Sequence, residues 1–218
     1  MQMLSPTYRN DETEGLPEDV KTYLDEHFLK KLDNLNVFHP RMLVVFSGGN
    51  ALGKTMLSQK IGQELGGLVL ENDRIKMMLT EYDPAIDRET CNVLTWRYST
   101  DLYKRLEEVT PNGLVVRDGV IDWYYDRILP KFEEKGYDLF VIAYEVSKEK
   151  RIELIRKRGD KTTVSAKRLI EMMDEHDLHS TRFRRAYMPD VVLRDENLFE
   201  HDKVIAKIQA RLLQLNDR

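Results

Sequence analysis

The stretch MLVVFSGGNALGKT, residues 42–55, decides the fold class of this chain. It begins with a short continuous apolar run over 42–47, which is typical of a strand buried on both faces. A glycine-containing turn follows, and a helical pattern then runs over about 53–65 until Gly66 and Gly67 end it. A buried strand that turns through glycines into a helix indicates an α/β protein with parallel strands.

Four more short apolar strands follow the first one, and helical segments separate them. We predict these strands over 68–71, 114–118, 138–146 and 190–193. Strands that alternate with helices predict the doubly wound α/β class, here a five-stranded parallel sheet with helices on both faces. Sites in this class lie beyond the carboxyl ends of the strands. The residues that directly follow each strand are therefore the candidate site residues.

Helix signals divide the rest of the chain. Asp122 and Ser165 carry side chains that cap helix N-termini, and Pro130 predicts a kink or break inside its helix. The predicted helices cover about 17–35, 53–65, 73–80, 87–109, 122–135, 148–158, 166–177 and 200–215.

The N-terminal region differs from the remainder in composition. Residues 1–15 are polar, which indicates a mobile tail. The helix that follows is amphipathic and most simply packs on the main domain, with a partner-binding helix as the alternative. We therefore expect a tail and an amphipathic helix over 1–40 and one α/β domain over 41–218. The apolar stripe of the N-terminal helix consists of Val20, Tyr23, Leu24, His27, Phe28, Leu32 and Leu35.

Composition excludes several classes of protein. The 218 residues suffice for one large α/β domain, and 34 Lys+Arg against 38 Asp+Glu give a net charge of −4, so a strongly basic nucleic-acid footprint is absent. The single cysteine, Cys91, excludes an intramolecular disulfide and a cysteine-built zinc site. There is no apolar stretch of membrane-spanning length and no N-terminal signal segment. We expect a cytoplasmic protein that does not insert into membranes.

The turn after the first strand carries a phosphate-binding motif. Residues 48–55 read GGNALGKT, the complete G-x-x-x-x-G-K-[ST] pattern, in the required context between a strand and a helix. Glycines let backbone N–H groups turn toward phosphate oxygens, and the helix N-terminus adds partial positive charge. Lys54 would reach the β- and γ-phosphates of a nucleoside triphosphate, and the Thr55 hydroxyl would bind Mg²⁺. The expected nucleotide-binding residues are Gly48, Gly49, Asn50, Ala51, Leu52, Gly53, Lys54, Thr55 and Met56.

The residues after the second strand decide what happens to the γ-phosphoryl group. A carboxylate there faces the γ-phosphate from the far side and can take the proton of an acceptor hydroxyl, so Asp73 is the predicted general base. Helix capping by Asp73 is the alternative. Lys76 lies one turn later on the same face and is predicted to bind an anionic group of the acceptor, with a solvated lysine as the alternative.

The third strand ends in Arg117-Asp118. An acidic residue that closes an apolar strand beside a phosphate loop resembles the Walker B ligand of Mg²⁺. Asp118 is therefore the second predicted metal residue, together with Thr55. The alternative is an aspartate that merely turns the chain before Gly119. Arg117 has no assigned role.

The segment SKEKRIELIRKRGDK, residues 147–161, contains three arginines within eight residues. Arginines on a helix that closes over the γ-phosphate stabilise the charge of the transition state. Arg156 and Arg158 are the preferred candidates, rather than Arg151, because they lie nearest to Gly159. We expect an arginine-rich lid over about 148–162, with a solvated basic helix as the alternative.

Together these residues resemble the P-loop kinases of the zeta-toxin and polynucleotide-kinase type, which are also described as an AAA-like ATP-binding domain. The resemblance covers about 42–215. It implies a P-loop NTPase sheet of the nucleoside-kinase-like order 2-3-1-4-5, ATP with Mg²⁺, and transfer of the γ-phosphoryl group to a hydroxyl.

The resemblance also implies residue roles. It implies a general base at Asp73, an acceptor-binding residue at Lys76 where the family commonly has Arg, and lid arginines at Arg156 and Arg158. It would put the turn at 194–197 near the adenine. The chain departs from the family inside the loop, because Asn50 and Leu52 are bulkier than the small residues common there.

Two further groups of residues are candidates for a site. Arg97 lies on the long helix between strands two and three, where kinases of this fold often wall the acceptor pocket, and is an expected substrate ligand. Its neighbours Trp96 and Tyr98 would stack a base there or belong to the helix core. His176 and His179 lie three residues apart on one helical face, but no carboxylate completes a metal site with them.

The expected function is an ATP-dependent kinase acting on a hydroxyl of a small molecule or sugar nucleotide. The first alternative is a polynucleotide 5′-hydroxyl kinase. A nucleic-acid partner is allowed but not favoured, because the acidic net charge opposes backbone binding. The second alternative is a nucleotide-dependent switch or regulatory ATPase, which needs no base after the second strand. The acceptor and the oligomeric state do not follow from the sequence.

Overall fold

The computed structural model describes residues 16–33, 39–109, 113–159 and 165–217. Within these ranges, five strands form one sheet in the order β2-β3-β1-β4-β5, all neighbours are parallel, and helices cover both faces. The expected fold class and strand order are confirmed. The strands are β1 (Met42–Ser47), β2 (Leu68–Glu71), β3 (Leu114–Val120), β4 (Asp138–Tyr144) and β5 (Val191–Leu193).

The helices alternate with the strands along the described parts of the chain. They are α1 (Glu18–Asp33), α2 (Lys54–Leu65), α3 (Asn72–Tyr82), α4 (Arg88–Val109), α5 (Tyr125–Glu134), α6 (Lys148–Arg158), α7 (Ala166–Glu171), α8 (Met173–Ala186) and α9 (His201–Asn216).

The structure corrects three helix predictions. Asp122 does not cap α5, which begins at Tyr125. α5 continues through Pro130, so the expected break is absent; a kink at Pro130, which lacks the N–H for one helical hydrogen bond, stays a prediction. The single helix expected over 166–177 is two helices, α7 and α8, and α8 extends to Ala186. The apolar spacing ends at about 177, which is why the sequence predicted a helix end there. The residues that follow still belong to α8, because Phe183 of that helix is fully buried.

The sheet buries its central strand completely, as the sequence predicts. All six residues of β1 are buried, and Phe46 packs in one hydrophobic cluster with Leu57 and Ile61 of α2 and Ile208 of α9. This cluster fixes α2 against β1, and therefore also the loop that connects them.

The register between β1 and β3 changes just before the carboxyl end of the sheet. Val44 pairs with Val116, but Phe46 pairs with Val120, so β3 uses three residues where β1 uses one. Asp118 lies in this irregular part of β3. Such a bulge redirects side chains relative to a regular strand.

The chain divides into two compact units. One unit contains α1, α3 and α4, within residues 1–34 and 72–110, and the other contains the sheet and the remaining helices. The expected division after residue 40 followed from the connector over 36–41 with its Pro40, whereas packing groups α1 with α3 and α4. The expected tail over 1–15 lies outside the described residues.

The helical unit has its own core and a partly buried polar network. Leu24 and Phe28 of α1 are buried, and the Phe28 ring lies 5.6 Å from the ring of Tyr98. The Tyr98 hydroxyl donates to Asp25 at 2.9 Å, and Arg105 donates to the same carboxylate at 2.8 Å. Tyr98 is therefore helix core and not a base-stacking surface.

A search of the described helices for a membrane-crossing segment finds none of sufficient length and apolar character.

Candidate functional site

The loop over residues 48–53, which we call the P-loop, joins β1 to α2 and depends on unusual backbone angles. Gly48 has φ +120°, and a Cβ there would lie 2.8 Å from the Cβ of Tyr144, so only glycine fits. Gly53 has φ +82° at the N-cap of α2. Ala51 has φ +63°, which strains a residue with a Cβ and is a feature of functional loops.

Lys54 lies across this loop instead of extending into solvent. Its side chain is 7% exposed, its ammonium group donates to the carbonyl oxygen of Gly49, and Nζ lies 5.6 Å from the ring centroid of Tyr144. Burial raises the pKa of Tyr144, with the Asp118 carboxylate adding to the effect, so this phenol stays neutral beside the lysine. The arrangement holds one positive charge at the loop, where an anion would bind.

Thr55 and Asp118 place two oxygen atoms at the start of α2. The Thr55 hydroxyl donates to Oδ1 of Asp118 at 3.3 Å, and the Asp118 side chain is buried. Mg²⁺ prefers oxygen ligands and takes the rest of its shell from phosphates and water, so these two side chains fit a P-loop magnesium ion. The pair joins the first turn of α2 to the irregular part of β3.

Arg151 is the arginine that the structure brings to the P-loop. Its guanidinium would lie 3.4 Å from a Cβ on Gly49, its side chain is 6% exposed, and it forms an ion pair with Asp177. Arg156 is exposed and Arg158 is half-buried, and both lie at the far end of α6. Those two were the preferred candidates because they lie nearest to Gly159.

A signal for Arg151 was present in the sequence. Arg151 and Ile155 are the buried residues of α6, and their spacing of four places them on one helical face. Because Arg151 shares a helical face with the apolar Ile155, the sequence indicated that Arg151 lies on the side of α6 that packs against the protein. The lid roles of Arg156 and Arg158 stay predictions.

Asp122 supports the P-loop and was missed as a site residue. Its side chain is 1% exposed, and its Oδ2 accepts hydrogen bonds from the backbone N–H of Gly48 at 2.8 Å and from the hydroxyl of Ser180. The capping prediction was right that Asp122 accepts a hydrogen bond from a backbone N–H. The donor, however, is Gly48, which lies 74 positions away and not in the following helix.

His176 on α8 also contacts the P-loop. Its Nε2 lies 3.2 Å from the side-chain amide of Asn50, and the indole N–H of Trp123 donates to its Nδ1 at 3.4 Å. Burial lowers the pKa of His176, and the charge of Lys54 lowers it further, so the ring is neutral at pH 7. The spacing of His176 and His179 drew attention to this helix, but His179 instead stacks on Trp123, with ring centroids 3.8 Å apart.

The remaining predicted site residues follow β2 or lie on α4. Asp73 is exposed in the first turn of α3, one residue after the helix begins, and Lys76 is half-buried one turn later. Arg97 is half-buried on α4, and Met56 is 63% exposed on α2. The roles of Asp73, Lys76 and Arg97 in acceptor chemistry stay predictions.

A cavity of about 380 Å³ opens beside Gly48 at the carboxyl end of β4. Arg151, Asp177 and Ser180 line it together with Arg184. The P-loop therefore combines a buried lysine, an arginine, a pair of oxygen ligands and an adjoining charged cavity. This arrangement can bind a phosphorylated anion with its metal.

Comparison with known proteins agrees with this geometry at the level of fold. No family model and no curated protein sequence matches the chain. A chain from the PezAT chromosomal toxin-antitoxin system of Streptococcus pneumoniae superposes with a TM-score of 0.60 and 12% identity, covering 90% of this chain and 98% of that one.

Two further solved structures have the same fold. A gluconokinase from Sinorhizobium meliloti superposes with a TM-score of 0.51 and 18% identity, covering 83% of this chain and 98% of that one. The tunicamycin resistance protein of Deinococcus radiodurans superposes with a TM-score of 0.53 and 14% identity, covering 78% and 95%. At these identities the likeness establishes a P-loop kinase fold and nothing narrower, and the zeta-toxin or polynucleotide-kinase type stays a prediction.

Proposed function

We propose that this protein is a P-loop phosphotransferase that moves the γ-phosphoryl group of ATP to a hydroxyl of a small molecule or sugar nucleotide, with Mg²⁺. The observation that carries the proposal is the position of Lys54. Its buried ammonium group spans a strained glycine loop between β1 and α2, with the Thr55–Asp118 oxygen pair beside it. Burying a charged ammonium group is costly unless it is paired, so an anion bound at this loop would favour the position that Lys54 occupies.

Each of these side chains has a chemical role in the proposed reaction. Lys54 binds the β- and γ-phosphates and stabilises charge that grows on them during transfer. Arg151, against Gly49, adds a second positive charge from α6. Thr55 and Asp118 would hold Mg²⁺. When bound, Mg²⁺ would offset the phosphate charge.

The acceptor side of the proposal depends on α3 and α4. Asp73 would take the proton of the acceptor hydroxyl, and Lys76 and Arg97 would bind anionic groups of the acceptor. The solved gluconokinase of this fold supports a small hydroxyl compound as the acceptor. Asp73 is the residue that separates a kinase from a nucleotide-dependent switch, because a switch needs no base.

The first test is a screen with γ-labelled ATP and Mg²⁺ against pooled metabolites, sugar nucleotides and 5′-hydroxyl oligonucleotides. We expect label to move to a small acceptor. Lys54→Ala should reduce transfer about a hundred- to thousandfold, because it removes a charge-assisted contact to the transferred group. Lys60→Ala is the matched control, since Lys60 lies on the same helix and pairs with Glu64 at its surface.

Other outcomes of the screen identify the alternatives. Label on the oligonucleotides would indicate the polynucleotide kinase, and label released only as phosphate would indicate a regulatory ATPase. Turnover that is unchanged by Lys54→Ala would contradict the assignment of the P-loop.

The second test concerns the general base. Asp73→Asn should abolish transfer to the acceptor while ATP affinity stays within about twofold, because an amide cannot take up the proton. Asp126→Asn provides a control, since Asp126 is also an exposed aspartate in the first turn of a helix. Normal transfer by the Asp73 variant would show that another group acts as the base.

A further inference from the structure

Helix α8 lies along the P-loop and contacts three successive loop residues from one of its faces. We call this face the α8 contact face. Two of its contacts are indirect, through side chains of other elements, and one is direct. Its members are His176, Asp177 and Ser180.

The two indirect contacts reach the glycines of the loop. Ser180 donates to Asp122, which accepts the N–H of Gly48. Asp177 binds Arg151, whose guanidinium lies against Gly49. The direct contact joins His176 to Asn50, the next residue of the loop.

From this geometry we propose that His176 is a positioning residue, which orients the side-chain amide of Asn50 and thereby prepares the P-loop to bind phosphate. The inference rests on the proposed function, because it assigns a purpose to the contact within a nucleotide site. It also explains why the loop carries Asn50 at a position where small residues are common.

The hydrogen-bond chemistry of the three side chains determines the direction of each bond. An indole N–H only donates, so Nδ1 of His176 accepts from Trp123, and the proton of the neutral ring is on Nε2. The two ends of an asparagine amide are distinguished by their hydrogen bonds. As placed, Nδ2 of Asn50 lies 3.2 Å from Nε2, but a donor cannot pair with the protonated Nε2. We therefore assign the Asn50 oxygen to the end that faces Nε2, which leaves the NH₂ group as the end that His176 does not use.

This orientation matters because phosphate oxygens accept hydrogen bonds. An Asn50 amide held by its oxygen can offer phosphate its NH₂ group, which is a donor. An amide without the histidine rotates freely and can present its oxygen, which repels phosphate. Fixing the amide before the ligand arrives also removes the entropy cost of ordering it during binding.

The surroundings of His176 favour the neutral ring that this scheme needs. Lys54 on α2 and Arg151 on α6 face it with positive charge, while Asp122 and Glu175 face it with negative charge. Burial is the largest effect and lowers the pKa, and the two cations act in the same direction.

The first experiment detects the contact between His176 and Asn50 in the absence of nucleotide. NMR of the protein labelled with ¹⁵N-histidine should show His176 as the tautomer with the proton on Nε2. Asn50→Ala should shift the Nε2 resonance of His176 and leave that of His179 in place. A proton on Nδ1, or an Nε2 resonance that ignores Asn50→Ala, would overturn the proposal.

The second experiment is a double-mutant cycle read by calorimetry with the non-hydrolysable ATP analogue AMP-PNP and Mg²⁺. His176→Phe keeps a ring but loses both hydrogen bonds, and should weaken binding about five- to tenfold, the value of one hydrogen bond. His176→Gln should restore affinity to within about twofold, because its amide N–H can donate to the Asn50 oxygen. The double variant of His176→Phe with Asn50→Ala should bind no more weakly than Asn50→Ala alone.

His179→Phe is the matched control, because its described contact is the stack on Trp123, and it should bind AMP-PNP as the wild type does. Additive losses in the cycle, or wild-type affinity in His176→Phe, would overturn the role of His176 alone. A wild-type chain that does not bind AMP-PNP would overturn the proposed function. It would also overturn the role of the His176–Asn50 contact in phosphate binding, even where NMR shows the expected tautomer.

Discussion

Among single residues, Thr55 and Asp118 illustrate how a site is assembled from two chain segments. Thr55 follows the lysine of the P-loop motif, while Asp118 lies 63 residues later in β3. The irregular register of β3 lies at this position, and the hydroxyl and carboxylate are 3.3 Å apart. Neither side chain alone would select Mg²⁺, whereas the two oxygens together match its preference.

Asp118→Asn tests this pair. An amide keeps the shape and one oxygen but loses the negative charge, so the Mg²⁺ concentration for half-maximal transfer should rise about tenfold or more. A Mg²⁺ titration of the transfer rate measures this. Chelation of Mg²⁺ should stop transfer in the wild type. A variant with an unchanged Mg²⁺ requirement would show that Asp118 does not hold the ion.

His176 provides a pH-dependent prediction. Its pKa is lowered in the folded protein, while the unfolded chain has the ordinary value near 6.5. As the pH falls below about 6.5, the unfolded chain therefore takes up a proton that the folded chain does not, and the free energy of unfolding decreases until the pH passes the folded pKa.

Urea unfolding at pH 7.5 and 5.5 checks this effect. The wild type should lose more stability over this interval than His176→Gln or His176→Phe, neither of which can titrate at position 176. Because His176→Gln can keep a hydrogen bond and His176→Phe cannot, a smaller pH effect in both variants would come from the lost proton uptake and not from the loss of one hydrogen bond. Parallel losses in all three proteins would mean that burial does not hold His176 neutral.

Among the elements, α6 and α8 act on the P-loop as a pair. Arg151 in the first turn of α6 lies between Gly49 and Asp177 of α8, and its side chain is almost entirely buried. Asp177 is about half exposed, so only the Arg151 side of this ion pair is taken out of water. Burying a guanidinium group costs desolvation energy, so the position of Arg151 against Gly49 is consistent with a use beyond stability.

Replacement of Arg151 should therefore affect activity more than replacement of a surface cation on the same helix. Arg151→Ala should reduce transfer about ten- to hundredfold, because it removes a positive charge at Gly49 and leaves Asp177 facing the phosphates. Lys157→Ala, which removes an exposed charge from α6, should leave the rate unchanged. Kinetics with saturating ATP compare them, and equal rates in both variants would assign Arg151 to packing alone.

For the whole molecule, the division into two units gives the N-terminal helix a structural purpose. α1 supplies Val20, Leu24 and Phe28 to a core that it shares with α3 and α4. Full burial of each such side chain contributes about 1.5–3 kcal/mol. Removing α1 would expose the apolar faces of two helices that carry Asp73, Lys76 and Arg97.

A chain that starts at residue 39 should consequently lose several kcal/mol of stability, or aggregate, because α3 and α4 lose their cover. A chain that starts at residue 16 is the control, since it removes only the polar N-terminal residues and keeps α1. Thermal unfolding followed by circular dichroism compares both with the full chain. Equal stability of the two truncated chains would show that α1 contributes little to the core.

The parallel strands and the phosphate motif were predictable because each depends on neighbouring residues, although β3 continues to Val120, β4 ends at Tyr144 and β5 begins at Val191, two residues beyond, two before and one after the predicted bounds. β1 and β2 begin and end where the apolar runs predict, and α6 matches its predicted range. The strand order followed from the family resemblance of the P-loop region. Asp122 was misassigned as a helix cap, since a capping motif describes local partners and its actual donor, Gly48, is distant.

The sequence by itself therefore determined the fold class and the residues of the P-loop, because a motif and a hydrophobic period are written in consecutive positions. Only the tertiary structure decided which distant side chains reach that loop. Arg151, Asp122 and His176 arrive from separate segments, and His176 is 126 residues from its partner Asn50. Their meeting depends on how the elements pack, and no local pattern records a partner that folding brings from so far along the chain.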